Sequence, residues 1–436
     1  MKNKIKIIIA VSLSIVLAAI ISFFIYTLSF SKTPNVSSLS IEENYALMEI
    51  IKKNYSKPVM FYPEFETSNL ENKIKLKARS CILLDATTGA IIYEKNADEL
   101  IPPASMTKLV VMYILFSEIE KGNIQLTDIV SLPPESWYIN ALPGSSLMFL
   151  EQDDKVTLYD LMLGMSVMSG NDAAVACAYY VSDSIENFVQ RMNKEMEKLN
   201  LVHTRFVDTS GYSELNQTTA REFAKFTRIY LQTFPQSLEL FHNKKEMTFK
   251  GTLFKSTNKV LGKVLGVDGL KTGFIPESGF NYAMTCKQNS TRIIAIFMGG
   301  PGYNSIEGNI NRIEDAINLT ENFFANYETT LPEYYSYNVN VFTGKKNSLT
   351  LIPAFSDKIT TPVLNQPFRI EKNIPQFLNA PITAGEKIGN LKYYINDILI
   401  QTVPLIADRN IEKGNKAKIF IDKCARKIFK ILFTSY

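Results

Sequence analysis

Residues Pro102-Pro103-Ala104-Ser105-Met106-Thr107-Lys108 open an apolar run, Leu109–Phe116. A helix that is apolar on every side has no face to give to water, so this run predicts a helix buried at the centre of a core. Prolines end what precedes them and are tolerated in a first helical turn, so the helix should begin at this stretch. Gly122 is placed to end it. Ser105 and Lys108, three residues apart, share one face of the first turn. A serine there lies near unpaired backbone N–H groups and the positive end of the helix dipole. Such a place favours the negative charge that develops when a serine oxygen attacks a carbonyl. The lysine one turn on could take the serine's proton if its own charged form were made costly.

Short motifs arise cheaply. Ser256-Thr257-Asn258-Lys259 is also Ser-x-x-Lys, and a lone match reads more readily as an N-cap serine followed by a solvated lysine. Company in the right order separates the two: Ser169-Gly170-Asn171, then Lys271-Thr272-Gly273, the only such tripeptide in the chain. A serine hydroxyl is a poor nucleophile until a base is within reach, and Lys108 is the candidate base by proximity. It needs a lowered pKa, from burial or from a second cation, and Lys271 could be that cation if its strand edges a cleft facing the helix. Ser169 offers a hydroxyl to relay a proton to a leaving amine. Asn171 offers an amide to a substrate peptide group. Thr272 and Lys271 offer donors to a substrate carboxylate, and Gly273 lets a substrate backbone approach the strand closely. The oxyanion would meet two backbone N–H groups, those of Ser105 and Phe274, each worth ~3 kcal/mol in the transition state. The reaction class is acyl transfer through a serine ester.

Composition removes other classes. With two histidines, His203 and His242, a Ser-His-Asp enzyme has almost nothing to draw on. The four cysteines (Cys81, Cys177, Cys286, Cys424) form no Cys-x-x-Cys pair, which reads as buried free thiols rather than a zinc or disulfide framework. No metal or cofactor is expected. A net charge of +4 is too small to argue for nucleic acid. At 436 residues, two or three folded units are expected.

Along the chain, Lys2, Lys4 and Lys6 precede an uncharged, mostly apolar run from Ile7 to Phe30, the start of an export signal and long enough to cross a bilayer. A retained anchor is favoured over cleavage at Ser29-Phe30-Ser31, so residues 1–31 are expected to be a signal or transmembrane anchor. Residues 32–77 are expected to be a spacer with a short helix capped by Ser40 and Glu43. Strands are predicted at Ser80–Asp85 and Ala90–Tyr93, then helices at Leu158–Met168, at Ala173–Tyr180 capped by Asp172, and at Ile185–Leu199. Strands return at Gly266–Gly273, Phe280–Cys286 and Arg292–Met298, and a helix follows at Ile306–Tyr327. Early strands thus rejoin late ones, with a helical lobe inserted and the site in the cleft between. Past Pro332, short strands are predicted at Tyr337–Val341, Ser348–Ile352, Lys358–Val363, Lys387–Tyr394 and Ile398–Val403.

The last residues differ again. From Lys416 to Phe433 the apolar positions (Ala417, Phe420, Ile421, Cys424, Ala425, Ile428, Ile431, Leu432) follow one helical face. Lys416, Lys418, Lys423, Arg426, Lys427 and Lys430 are opposed only by Asp422. A one-signed polar face suits an anionic membrane surface, at ~1 kcal/mol per basic residue; the alternative is a helix packed on the β-rich domain.

The motifs together resemble those of the low-molecular-mass penicillin-binding proteins that act as D-alanyl-D-alanine carboxypeptidases. The resemblance rests on Ile82-Leu83-Leu84-Asp85 with Thr88-Gly89, Pro103–Lys108, Ser169-Gly170-Asn171-Asp172-Ala173-Ala174 and Asp268–Gly273, with Arg292 and Gly299 on a last strand. Leu378-Asn379-Ala380-Pro381-Ile382 through Gly385, with Pro404-Leu405, resembles the family's C-terminal domain. The implied fold is a catalytic domain of the β-lactamase/transpeptidase type over 78–328, an antiparallel sheet with flanking helices and an inserted helical lobe. A small all-β domain over 329–412 and a basic amphipathic helix over 413–436 complete it. The implied substrate is a peptidoglycan stem peptide ending in D-Ala-D-Ala, with β-lactam antibiotics as acylating ligands, at the extracytoplasmic face of the cell membrane. Arg292 would help hold the substrate carboxylate. Phe274 stands where many members carry histidine, which implies an altered rate or substrate preference. Three alternatives stand beside this reading. They are a serine β-lactamase, for which no Glu-x-x-Leu-Asn lies between Ser169 and Lys271; a cross-link-cutting D,D-endopeptidase; and a catalytically weak, membrane-tethered wall-binding protein.

Overall fold

The computed structural model describes residues 74–289, 291–354, 358–363, 368–395 and 397–433, with residues 18 and 20–22. Apart from those four positions, the N-terminal apolar run and the Ser40 cap lie outside the described residues. Among the described residues no helix is long and apolar enough to cross a membrane. The chain forms two compact units, Val59–Thr330 with Lys358–Leu364, and Leu331–Asp357 with Asn365–Tyr436.

The first unit is built on a five-stranded sheet. Strands β1 (Ser80–Asp85) and β2 (Ile91–Lys95) come before the helical lobe. In the lobe, a turn of 3-10 helix at Ala104–Thr107 runs straight into helix α1 (Lys108–Glu120). Short strands β3 (Ile129–Val130) and β4 (Val156–Thr157) pair with each other. Helices α2 (Leu158–Val167), α3 (Asn171–Ser182), α4 (Ile185–Lys198) and α5 (Ala220–Thr233) follow, then a hairpin of β5 (Glu246–Phe249) and β6 (Thr252–Lys255). Strands β7 (Val267–Ile275), β8 (Gly279–Gln288) and β9 (Thr291–Gly300) complete the sheet in the order β2-β1-β9-β8-β7, antiparallel throughout. Helix α6 (Ser305–Asn326) and strand β10 (Tyr327–Thr330) end this part of the chain.

Most residues of β8 and β9 are buried, and in both strands the buried run is continuous rather than alternating, as in strands covered on both faces. Helix α5 packs on β1 and β9, and α6 on β8 and β9. The run Leu109–Phe116 is buried at every position except Tyr113, which is half-buried. That is the central helix expected of a segment with no polar face. It touches α2, α3 and α4. The folded part starts before Ala78, because Ile74 and Leu76 are buried and the Lys77 and Ala78 amides donate to Asp315 at 2.7 and 2.8 Å.

The second unit is a six-stranded sheet. It contains β11 (Tyr337–Phe342) and β12 (Ser348–Pro353). Strand β13 (Ile359–Pro362) leaves that sheet to pair with β10 and belongs to the first unit. Strands β14 (Arg369–Asn373), β15 (Phe377–Asn379), β16 (Lys387–Ile395) and β17 (Ile398–Ala407) complete the order β14-β16-β17-β12-β11-β15. Helix α7 (Lys416–Phe433) lies within the expected 413–436 and contacts β11. Its single acid is a dock rather than a charge on the polar face. Asp422 is fully buried, accepts the Thr343 amide at 2.7 Å and is paired with Lys418 at 3.0 Å. Arg426 lies over the Phe377 ring. Phe420 and Ile421, on a neighbouring face, are 71% and 44% exposed.

Candidate active site

The three motifs converge because three unrelated constraints end at one place. The prolines start the 3-10 turn, so Ser105 lies one turn before the buried helix. Gly170 precedes α3, which puts Ser169 and Asn171 at the junction of α2 and α3. Lys271, Thr272 and Gly273 lie on β7, the edge strand, which packs on the 3-10 turn. The contact is tight: a Cβ on Gly273 would stand 2.7 Å from the Pro103 carbonyl oxygen and 3.1 Å from the Ser105 nitrogen. Only glycine fits there, which brings the expected oxyanion donors, the amides of Ser105 and Phe274, to adjoining backbones. Ala104 and Ser169 hold positive φ (50° and 63°), a conformation that non-glycine residues adopt at a cost and that clusters at functional sites.

A cleft of about 450 Å³ has Ser105, Ser169, Thr272, Gly273, Phe274 and Arg312 in its wall, with Gly144, Ser146, Lys255, Thr257 and Lys259 further along it. The two motif lysines lie behind this surface, 0% and 1% exposed. Lys108 Nζ donates to Asn171 Oδ1 at 2.8 Å and to the Ser210 carbonyl at 2.6 Å, and stands 2.9 Å from Ser105 Oγ. The first two partners are oxygens that cannot donate. An uncharged Lys108 therefore spends its two N–H bonds on them and turns its lone pair to the Ser105 hydroxyl. That is the geometry of a general base. Lys271 Nζ donates to Ser169 Oγ at 2.9 Å and to the Thr272 carbonyl at 3.0 Å.

Electrostatics fit the same roles. Burial pushes the Lys108 ammonium down to about 7, against the opposing pull of the Asp208 and Asp172 carboxylates. Burial also holds Lys271 well below the usual lysine range, and the Lys108 and Arg312 cations add to this. A substrate carboxylate beside Lys271 would restore its charge, and a charged Lys271 keeps its neighbour Lys108 neutral.

Two readings of the sequence need correction. Arg292 does not reach the cleft: it grips Asp268 through both guanidinium nitrogens at 2.8 and 2.7 Å, and donates to Thr285 at 2.7 Å. The register explains this, because Arg292 pairs with Lys287 and the neighbouring Cys286 pairs with Val267, the start of β7. The cleft uses the other end of that strand. Arg312 of α6 supplies the cation there, bonded to the Gly273 carbonyl and lying 5.0 Å over the Phe280 ring. Nothing in the sequence marks Arg312, since its reach depends on how α6 packs. Asp172 is not the N-cap of α3, a position Gly170 holds; its carboxylate accepts the first-turn Ala173 amide and those of Met148 and Leu150, and so holds the loop that carries Gly144 and Ser146. Phe274 is 48% exposed in the cleft wall and packs on Phe280 at 4.3 Å between centroids. The decoy Ser256 accepts the Asn258 amide, stands outside the cleft wall and has no lysine on its hydroxyl. Among the described residues no cluster of His, Cys, Asp or Glu is placed to hold a metal ion.

Comparison with known proteins agrees with this geometry. The family model described as D-alanyl-D-alanine carboxypeptidase matches residues 66–302, and the one described as penicillin-binding protein 5, C-terminal domain, matches residues 330–413. The D-alanyl-D-alanine carboxypeptidase DacC of Escherichia coli is 32% identical over 344 residues, covering 77% of this chain and 85% of that protein. Penicillin-binding protein 5 from Haemophilus influenzae superposes with a TM-score of 0.71 at 30% identity, over 78% of this chain and 98% of that one. The ampicillin-bound penicillin-binding protein D2 of Listeria monocytogenes superposes with a TM-score of 0.51 at 28% identity, over 57% of this chain and 98% of that one.

Proposed function

This chain belongs to the D-alanyl-D-alanine carboxypeptidase family, and from that premise we propose that it removes the terminal D-alanine of peptidoglycan stem peptides through an acyl-enzyme on Ser105. The observation that carries this is the pair of lysine–serine contacts at one cleft, Lys108 on Ser105 and Lys271 on Ser169, each 2.9 Å long. Neutral Lys108 takes the Ser105 proton as Oγ bonds to the carbonyl carbon of the penultimate D-alanine. The oxyanion is met by the Ser105 and Phe274 amides. Collapse breaks the peptide bond, and the leaving amine of D-alanine receives a proton through Ser169. Water then cleaves the ester, and the shortened peptide leaves. Arg312, Thr272 and Lys271 hold the terminal carboxylate. A β-lactam enters the same path and stays as an ester when water is poorly activated. Among the described residues no carboxylate lines the cleft, which argues against fast, β-lactamase-type deacylation.

The test is incubation with a fluorescent penicillin, mapping of the adduct, and measurement of D-alanine release from a pentapeptide. Labelling at Ser105 with D-alanine release is expected. Labelling without release would leave a penicillin-binding scaffold, and rapid penicillin hydrolysis would make it a β-lactamase.

The same reading places the enzyme at the outer face of the cell membrane, held by residues 1–31 and by α7. Exposed Phe420 and Ile421, beside Lys416 and Lys423, support contact of α7 with an anionic bilayer. A chain lacking residues 1–31 should still sediment with phosphatidylglycerol vesicles, and Phe420→Ser with Ile421→Ser should weaken that by ~10-fold or more, given the apolar area lost. Equal sedimentation of parent and double variant would remove the tail from the argument.

A further inference from the structure

The backbone around Ser210 has no motif to hold it, yet it supplies one of the two acceptors that orient Lys108. It is held by one carboxylate. Asp208 Oδ1 accepts the amides of Ser210 at 2.7 Å, Gly211 at 2.6 Å and Tyr212 at 3.3 Å, and the Ser210 hydroxyl at 3.0 Å. Its Oδ2 accepts the Ser213 amide and the Asn216 side-chain amide, both at 2.8 Å. Four consecutive backbone N–H groups thus turn inward on one side chain, and the carbonyl of the first points out to Lys108 Nζ at 2.6 Å. The second, Gly211, has φ +79°, and a Cβ there would sit 1.8 Å from the Ala104 carbonyl oxygen and 2.9 Å from the Ser105 nitrogen. The loop therefore touches both halves of the acylation machinery, the base through Ser210 and the nucleophile's own backbone through Gly211.

We propose that Asp208 is a positioning residue for acylation, gathering loop 208–216 so that the Ser210 carbonyl aims the Lys108 lone pair at Ser105 and Gly211 packs the nucleophile's backbone in place. Asp208 is not among the residues of the cleft wall, and among the described residues it makes no hydrogen bond to Ser105. The inference rests on the acyl-enzyme reading above. The charged groups acting on Lys108 are Asp208 from this loop, Asp172 from α3 and Lys271 from β7. Asp208 thus has a second effect besides geometry: its negative charge favours the Lys108 ammonium. The two effects have opposite consequences when the charge is removed, and this makes the role measurable.

The experiment follows fluorescent-penicillin acylation of the full chain across pH, for the parent, Asp208→Asn and Asp208→Glu, with the melting temperature of each. An asparagine oxygen cannot replace two carboxylate oxygens accepting six donors, so the loop loosens. The plateau acylation rate of Asp208→Asn should fall roughly tenfold to a hundredfold, the scale of one lost bond to a buried charged group. With the charge gone, Lys108 deprotonates more easily, so the acid limb of its profile should move to lower pH. Asp208→Glu keeps the charge but misplaces it; its acid limb should stay with the parent's while the rate falls. A plateau rate for Asp208→Asn within about twofold of the parent overturns the proposal. So does a lower rate with the acid limb unmoved, which marks a loop that is merely structural. Should Asp208→Asn fail to fold, Asp208→Glu decides alone, and a parent-like rate from it overturns the proposal. A parent chain that takes no label at all defeats the acyl-enzyme reading instead.

Discussion

Ser105→Ala is expected to abolish penicillin labelling and D-alanine release together, with the fold intact. Among the described residues the lost hydroxyl makes one hydrogen bond, to Lys108, so the melting temperature should move little. The loss in turnover should approach ~10⁶, the scale seen when a nucleophile is deleted from a serine enzyme and only binding and oxyanion stabilisation remain. The control is Ser256→Ala. That serine also begins a Ser-x-x-Lys, but its hydroxyl is occupied by a turn and Lys259 does not bond to it, so labelling should persist. Loss of labelling in Ser256→Ala with retention in Ser105→Ala would invert the assignment.

Lys108→Arg is expected to stop acylation, whereas Lys271→Arg should keep part of it. Arginine cannot be deprotonated in a protein, so at position 108 it offers Ser105 no lone pair. The loss should be ~10³–10⁴-fold, the upper end of what general-base catalysis contributes. At position 271 the requirement is a donor to Ser169 and a positive charge for the carboxylate, which arginine supplies with altered geometry. The sign of the pH dependence follows from the form that acts. Lys108 works uncharged, and burial brings its pKa down to about 7. The acylation rate should therefore rise with pH through that value and level off above it, with about a tenfold loss per unit below. Equal losses in the two variants, or a parent profile flat from pH 5 to 9, would remove Lys108 from the role of base.

Much of this site is legible in the sequence because its chemistry is local. A nucleophile and base that share a first helical turn must be three residues apart, and a serine–lysine contact of 2.9 Å is what that spacing permits. Ser169 and Asn171 were legible for the same reason, since Gly170 breaks one helix and starts the next. The C-terminal helix was readable from its period, which runs over Lys416–Phe433 inside the expected 413–436. What the pattern could not give was which of its faces would meet protein. Asp422, which counts as a stray negative charge in the sequence, is the residue that docks.

Arg312 and Arg292 mark the limit in the other direction. Both are arginines near the end of the catalytic domain, and the family resemblance points to Arg292. Antiparallel register puts Arg292 beside Asp268, at the far end of β7, while the packing of α6 brings Arg312 to Gly273. The loop at Asp208 is a similar case: Asp-x-Ser-Gly announces a turn, but not that its carbonyl will face a buried lysine.

The sequence by itself determined the central helix, the α/β order of elements, the β-rich second unit with its terminal helix, and the three motifs. Each of these follows from interactions between residues close in the chain: apolar period, proline and glycine limits on φ, and spacing within one turn. Only the tertiary structure decided which arginine lines the cleft, how Lys108 is oriented and why both lysines are held below their usual range. Those are properties of distance and burial between segments far apart in sequence. Desolvation at Lys108 requires α1 to be covered on all sides, and the aim of its lone pair requires α3 and the 208–216 loop to arrive at the same nitrogen.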